Sequence, residues 1–181
     1  SLAIMSSNIS ASGEDLTGGY IWEVTAFGIN FGERRKLKYP KFSEVHQIQL
    51  DYITNFDNAF RNKMKNSSEV YSDPNNGYVE HIWVESFIYE LIIQEAMRNS
   101  DAYGGSAYYH KDKNGLINSG PVWDFDQSSG NSSYPDNGTG YDPGVKPAVV
   151  DGWMVKHPKT IGTPFYWSKL LDDSYFKYSL S

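Results

Sequence analysis

The chain has 181 residues and no cysteine, so it has the length of one domain and lacks disulfides, thiolate nucleophiles and cysteine-ligated zinc sites. Its 14 tyrosines, nine phenylalanines and five tryptophans supply enough apolar surface for a core, which argues against global disorder. The net charge of −6 predicts no general nucleic-acid binder, and no apolar stretch is long enough to span a membrane.

The first residues, SLAIMSSNIS, lack the basic start and long apolar centre of a signal peptide, and we expect the chain to be a piece of a longer protein. Residues 1–17 are predicted to be a small, polar lead-in to a domain at 18–181. Residues 20–27 alternate in the manner of a β-strand, with Trp22 on one face. Glu23 then lies on the opposite face, where a solvated glutamate is the plain interpretation.

The segment GERRKLKYPK is predicted to be a basic loop. Four cations cluster within it, at Arg34, Arg35, Lys36 and Lys38. Two interpretations remain open. The loop is either simply solvated, or it contacts a phosphate or an acidic substrate, because the guanidinium fork matches such groups.

Two helices are predicted, over Ser43–Met64 and roughly Val84–Arg98, because apolar residues recur there at spacings of three and four. Ser43 is the expected N-cap of the first helix. The second helix is more apolar, which predicts a central position in the core. Glu95 lies on or beside its apolar face, where a buried acid requires a partner. It either forms a structural salt bridge or supports a site.

The segment Asn99–Asn131 carries the candidate chemistry. Asp101 follows the second helix, and two predicted strands, Tyr108–Lys111 and Leu116–Trp123, are joined by the turn formers of DKNG. Such a turn between strands predicts a hairpin. The hairpin folds the chain back and returns Asp124 to the neighbourhood of Asp101.

Asp124 and Asp126 are two positions apart after a strand. In extended backbone they face the same side, so both can reach one hard cation through oxygen ligands. The alternative is an ordinary acidic turn, because aspartate favours turns. Asp101 alone is either a helix-end cap or a base, and spacing does not separate these interpretations.

The remainder of the chain is predicted to be a long loop followed by helix. Residues 128–147 are rich in Ser, Asn, Gly and Pro, and a loop of this length is usually functional or mobile. Thr163-Pro164 opens a short helix through about Leu171. Asp173 or Ser174 is placed to cap one more turn.

An acid in a loop, a two-strand excursion and then Asp-Phe-Asp is the order found in protein-kinase-like C-terminal lobes. The chain has no HRD triplet and no Gly-rich loop, which sets it apart from ordinary protein kinases. It more closely resembles the spore coat protein H (CotH) kinase family. The segments that carry the resemblance are GGYIWEV, YPKF, SFIYELIIQEAMRNSDAYGGSAYYHKDKNG, GPVWDFDQSSGN and FYWSKLLDDSYFKYSL.

The resemblance implies an α+β fold: a kinase-like C-terminal lobe, mainly helical, with a β-hairpin between the catalytic and metal-binding acids. It also implies transfer of phosphate from ATP to a serine of a protein partner, with Mg²⁺ or Mn²⁺. Asp101 matches the catalytic acid, and Asp124 matches the metal-binding acid with Asp126 beside it. Glu23 matches the strand that borders the adenine. Ser106 stands where many members have a metal-binding asparagine, which implies a looser metal site.

The family's N-terminal portion, with its phosphate-contacting Lys or Arg, has no counterpart in this sequence, and we expect this chain alone to be inactive. The resemblance places the protein outside the cell or at the cell or spore surface. One rival hypothesis is a coat or binding module that keeps the fold without catalysis. Another is a hydrolase that uses Asp101 and Asp124 as an acid/base pair, which needs carboxyls roughly 5–9 Å apart.

Overall fold

A computed structural model of the chain describes residues 12–25, 27–99, 101–129, 135–136, 140–141, 152–156 and 163–180. These ranges contain six β-strands: β1 Tyr20–Val24, β2 Arg35–Tyr39, β3 Ala107–Lys111, β4 Ile117–Ser119, β5 Pro135–Asp136 and β6 Gly140–Tyr141. They contain five α-helices: α1 Gln47–Lys65, α2 Ser68–Tyr71, α3 Val84–Met97, α4 Phe165–Asp172 and α5 Ser174–Leu180. The fold is therefore α+β, as predicted. Most of the predicted loop 128–147 lies outside the described residues.

A four-stranded antiparallel sheet, in the order β2-β1-β3-β4, forms one wall of the core. Tyr20, Trp22 and Val24 of β1 point inward and are buried. The Trp22 ring stacks on Tyr109 of β3 at a centroid distance of 5.9 Å. The prediction that this strand reaches Phe27 was too long, because the chain turns away after Val24 and leaves Phe27 81% exposed.

The predicted basic loop GERRKLKYPK is wrong, because its centre is strand β2. Arg35 and Leu37 point into the core and are buried, while Lys36 and Lys38 point away from it. The alternation was hidden in the sequence because an inward position is occupied by a charged residue. That position is tolerated because Arg35 meets a buried carboxylate, Asp57 of α1.

Helix α1 begins at Gln47, four residues after the predicted start, and its N-cap is His46 rather than Ser43. The His46 side chain and the side chain of Gln49 form a capping box, in which the His46 N–H donates to Gln49 Oε1 at 2.9 Å. This reciprocal pair satisfies backbone donors that a helix start leaves free. Residues 42–44 instead form a turn.

Helix α3 matches its predicted range within one residue and packs at the centre of the fold. Its Phe87 and Leu91 are fully buried, and the Phe87 ring lies 5.2 Å from the Trp167 ring of α4. Asp173 caps α5 as predicted, because its Oδ2 accepts from the Phe176 N–H at 2.9 Å. Among the helices of the described ranges, none combines the length and apolar character that crossing a bilayer requires.

A buried ion-pair cluster joins β2 to α1. Asp57, which is 3% exposed, accepts from Arg35 and, at 2.7 Å, from Arg61 Nε. Burial lowers the pKa of Arg35, although its neighbour Asp57 opposes that shift. One buried carboxylate is therefore the counter-charge of two guanidinium groups.

We predict that Asp57→Asn lowers the free energy of unfolding by about 3–5 kcal/mol, because it leaves two arginines without a counter-charge. Urea unfolding followed by circular dichroism measures this. Asp51→Asn is the matched control, since Asp51 is an exposed acid on the same helix, and we expect it to change stability by less than about 0.5 kcal/mol. Equal effects of the two changes would contradict the prediction.

Lys111 of β3 is a second buried cation, only 1% exposed. Its Nζ donates to the Thr17 carbonyl at 2.5 Å and lies 4.6 Å from the centre of the Phe56 ring. Burial lowers the pKa of Lys111 from 10.5 to about 8. The folded state thus releases this proton at a lower pH than the unfolded chain does.

Between pH 8 and 10.5 the unfolded chain holds this proton and the folded chain does not, so stability rises with pH across that window. We predict that the native chain gains roughly 1–3 kcal/mol relative to Lys111→Met over this range. Paired urea titrations at pH 7.5 and 9.5 measure the difference. The comparison cancels the titration of the tyrosines, which both proteins share. Parallel pH profiles for the two proteins would contradict the prediction.

Candidate active site

Asp101 lies in a tight turn after α3 and is 3% exposed. The Gly105 N–H donates to the Asp101 carbonyl at 2.8 Å, and the Gly104 N–H approaches the same oxygen at 3.3 Å. A Cβ at position 105 would lie 2.8 Å from the Cβ of Asp101. Glycine is therefore required at 105 so that the turn can close around Asp101.

The predicted hairpin is confirmed, with β3 paired to β4 in antiparallel register. Its second strand ends at Ser119 and not at the predicted Trp123. The Gly120 N–H still donates to the Tyr108 carbonyl at 2.8 Å, but Pro121 has no N–H with which to continue the ladder. The chain then leaves the sheet and returns to the turn at Asp101.

The carboxylates of Asp101, Asp124 and Asp126 converge, and one oxygen from each lies within 4.8 Å of the other two. We call these residues the three-acid cluster. Asp101 is buried, Asp124 is half-buried and Asp126 is exposed, so the cluster runs from the interior to solvent. The prediction that the hairpin returns Asp124 to Asp101 is confirmed.

Asp124 and Asp126 were predicted to reach one cation from an extended backbone, but the backbone at Asp124 is not extended. Asp124 has φ of +59° and is left-handed, not extended. This conformation costs about 1 kcal/mol or more for a residue with a Cβ, although aspartate tolerates it better than most residues. Such departures concentrate at functional sites, where the surrounding structure holds them in place.

The three-acid cluster fits a hard divalent cation. Mg²⁺ binds oxygen at about 2.1 Å, so two of its ligands are at most about 4.2 Å apart. The 4.8 Å limit on the oxygen separations in the cluster lies close to that value. Three ionised carboxylates this close repel one another, and a bound cation would offset that repulsion.

Ser106 lies beside the three-acid cluster. Its hydroxyl donates to Asp124 Oδ2 at 3.2 Å, and its hydroxyl oxygen keeps lone pairs for another contact. The structure therefore brings together Asp101, Asp124, Asp126 and Ser106 from the set that the sequence singled out.

Glu23 lies outside the three-acid cluster, on the outward face of β1. Its Oε2 forms an ion pair with Lys38 Nζ at 3.1 Å, and that hydrogen bond raises the pKa of Lys38. Lys38 Nζ also lies 5.5 Å from the centre of the Tyr108 ring, which contacts Trp123 edge to face. The adenine contact that the resemblance implies for Glu23 stays a prediction. Trp123 lies on this face and immediately precedes Asp124 in the chain.

A buried amide network behind the three-acid cluster was missed. Asn99 Nδ2 donates to the Asp124 carbonyl at 2.9 Å and to Gln94 Oε1 at 3.0 Å. Gln94 Nε2 in turn donates to Glu90 Oε1 at 2.8 Å. Burial raises the pKa of Glu90. The signal in the sequence was the polar pair Glu90 and Gln94, which are four residues apart and therefore on one face of the helix.

Glu95 anchors a separate segment. Its carboxylate accepts from the backbone N–H groups of Met154 and Val155 at 2.6 and 2.8 Å and from the Tyr103 hydroxyl at 2.8 Å. The predicted salt bridge is present, to Arg98, but at 3.9 Å it is the longest of these contacts. Glu95 thus has a structural role that also fixes Tyr103, close to Asp101 in the chain.

Comparison with known proteins gives one family. A family model described as CotH kinase protein matches residues 20–181, which is most of the chain. No curated protein sequence and no solved structure matches.

We predict that Asn99→Leu weakens Mn²⁺ binding about tenfold, because Asp124 loses the donor that fixes its carbonyl. Titration of Mn²⁺ followed by electron paramagnetic resonance measures this, and a urea unfolding curve confirms that the variant is folded. Asn55→Leu is the control, since Asn55 is exposed on α1. An unchanged dissociation constant in folded Asn99→Leu would reject this role for the amide.

Proposed function

The chain belongs to the CotH kinase protein family, and we propose that it is part of an atypical protein kinase that transfers the ATP γ-phosphate to a serine of a protein substrate. The observation that supports the proposal is the meeting of Asp101, Asp124 and Asp126 at one point. Phosphoryl transfer needs a divalent cation on the phosphates and a carboxylate at the acceptor hydroxyl. We interpret the hairpin and the helices behind it as a kinase-like C-terminal lobe formed by residues 18–181.

Asp124 and Asp126 would hold Mg²⁺ or Mn²⁺ in this proposal, with Ser106 as a weaker ligand or as the donor that orients Asp124. The bound cation would neutralise charge on the phosphates of ATP. The gradient of exposure supports this assignment, because an ion that enters from solvent first meets Asp126. Asp124 is held from behind by the Asn99 amide and from the side by the Ser106 hydroxyl.

Asp101 would orient the substrate serine and accept its hydroxyl proton. It occupies the buried end of the three-acid cluster, where water competes least for that proton. The turn closed by Gly105 fixes its backbone. Helix α3 ends at its C-cap Arg98, three residues before Asp101, so this geometry favours a positioned functional side chain over a helix-end cap.

The nucleotide base is assigned to the outward face of the sheet near Glu23. That face carries the Glu23–Lys38 ion pair and the rings of Tyr108 and Trp123. Trp123 is about half exposed and immediately precedes Asp124. A base that contacts this face would therefore lie beside the residues that receive its phosphates.

The partner is a protein with an acceptor serine, and we place the reaction outside the cell or at the cell or spore surface, following the family's association with the spore coat. The absence of cysteine is compatible with that location.

A binding or coat-assembly module without catalysis is the second candidate, and the observation that favours it is Ser106. A hydroxyl is a weaker ligand for a hard cation than an amide carbonyl is. The hydrolase hypothesis stays a prediction, because no specific observation favours it over the other two candidates.

We predict that Asp124→Ala reduces Mn²⁺ affinity more than about tenfold, because it removes a central carboxylate of the three-acid cluster. Asp101→Asn keeps the shape and removes the base, so we expect it to retain most Mn²⁺ affinity. In a longer form of the protein that includes the family's N-terminal portion, we expect it to lower phosphate transfer to a serine protein by about 10²–10⁴. Mn²⁺ titration and radiolabelled ATP assays measure the two effects.

Asp51→Asn, an exposed acid on α1, controls for the loss of one negative charge. Mn²⁺ binding that survives Asp124→Ala unchanged would reject the proposed metal site. Specific Mn²⁺ binding without phosphate transfer in any form of the protein would favour the binding module.

A further inference from the structure

A cavity of about 290 Å³ lies between α3 and the chain that leaves β4, and we call it the α3 cavity. Its apolar lining consists of exposed side chains, namely Trp83, Tyr89, Ile93, Pro121 and Val122. Neither the three-acid cluster nor the residues assigned to the nucleotide base line it. Pockets for small molecules usually measure roughly 300–1,000 Å³, so this volume suits one side chain better than a nucleotide.

The α3 cavity has a carboxylate in its wall with one unused oxygen. Glu90 is 5% exposed, and its Oε1 accepts from Gln94 Nε2 at 2.8 Å. Its Oε2 accepts from no donor in the described part of the chain, and it keeps accessible surface. A Cβ at Gly120, which also lines the cavity, would lie 3.8 Å from this oxygen. A ligand in the cavity can therefore reach Oε2.

Two other polar side chains of the α3 cavity also offer acceptors. His110 Nδ1 lies 3.2 Å from the Gly120 carbonyl. Because a carbonyl only accepts, Nδ1 is the donor, and the neutral ring keeps Nε2 as an acceptor. Asn118 Nδ2 donates to the Leu116 carbonyl at 2.9 Å, which leaves its Oδ1 as an acceptor. The lining thus favours a ligand that brings several hydrogen-bond donors.

The charge of the α3 cavity favours a cation. No lysine or arginine is among the residues that the structure shows lining it. Burial raises the pKa of Glu90, and the hydrogen bond from Gln94 opposes that shift only in part. Buried carboxylates are normally paired with a cation, and a cation beside Glu90 would stabilise its ionised form. The cavity is therefore complementary to a positively charged group.

The apolar walls fit the stem of a long basic side chain. Arginine and lysine bury their methylene stems against apolar surface while the charged head meets polar groups. The rings of Trp83 and Tyr89 also attract a cation that lies over their faces. A guanidinium brings five N–H donors to the three acceptors, whereas an ammonium is a compact point charge with three donors. Arginine is thus the better match.

We propose that the α3 cavity binds an arginine side chain of a protein partner. The choice of a protein rests on the proposed kinase function, in which the partner is the serine protein that receives phosphate. The guanidinium donates to Glu90 Oε2 and Asn118 Oδ1, and the arginine stem packs against Ile93 and Val122. The partner is then recognised through a residue other than the acceptor serine.

The test uses the nitrogen-15-labelled 181-residue chain and four capped peptides of the form Gly-Leu-X-Leu-Gly, where X is arginine, citrulline, lysine or norleucine. The indole signal of Trp83, identified with Trp83→Phe, reports binding in NMR titrations. We expect the arginine peptide to bind about tenfold tighter than the citrulline peptide, which keeps the shape and lacks the charge. The lysine peptide should bind more weakly than the arginine peptide.

Glu90→Gln removes the charge and keeps an acceptor for Gln94, so we expect the arginine and citrulline peptides to bind it within about threefold of each other. Glu85→Gln is the matched control, since Glu85 is an exposed acid on the same helix that does not line the cavity. It should keep the tenfold preference. Ile93→Ser should weaken both peptides about threefold and leave their ratio unchanged, because it removes apolar wall only. Urea unfolding confirms that each variant is folded.

A Trp83 signal that no peptide shifts, equal binding of the arginine and citrulline peptides, or a full preference in folded Glu90→Gln would overturn the proposal. So would adenosine that displaces the arginine peptide, because the cavity would then belong to the nucleotide base. Mn²⁺ titration of the same samples tests the three-acid cluster separately. Absent Mn²⁺ binding with an intact arginine preference would reject the kinase function alone, and the reverse result would reject only the arginine site.

Discussion

The hydrogen bond from the Asn99 side chain to the carbonyl of Asp124 joins two points that are 25 residues apart. It closes the excursion that leaves α3, runs through the hairpin and returns to Asp-Phe-Asp. Gln94 and Glu90 extend the bond into the core, where an unpaired amide would be costly. The left-handed backbone of Asp124 is thus held by a buried partner and not by local preference alone.

Two groups of charged side chains lie near the turn after Asp101. The carboxylates of the three-acid cluster converge there, and the guanidinium groups of Arg35 and Arg61 share the buried carboxylate of Asp57. The Arg34 side chain, which precedes Arg35 in the chain, donates to the Gly104 carbonyl of this turn.

Sequence reasoning predicted what local chemistry determines. The turn formers before Gly115 predicted the hairpin, the apolar period predicted α3, and together they placed Asp124 beside Asp101. The prediction failed where burial depends on a distant partner. From the sequence alone Arg35 was predicted to be a loop cation, because its counter-charge, Asp57, lies 22 positions away in the chain. His46 gave no cap signal because histidine is a rare cap, and the role of Asn99 depends on a contact made only after the hairpin closes.

The most direct test of the three-acid cluster is anomalous X-ray diffraction from crystals of the 181-residue chain grown with Mn²⁺ and an ATP analogue. We predict a manganese peak within about 2.2 Å of carboxylate oxygens of both Asp124 and Asp126. The Asp101 carboxylate should face the γ-phosphate of the analogue. Manganese bound elsewhere, or no peak at the cluster at millimolar Mn²⁺, would contradict the assignment of this site to phosphate transfer.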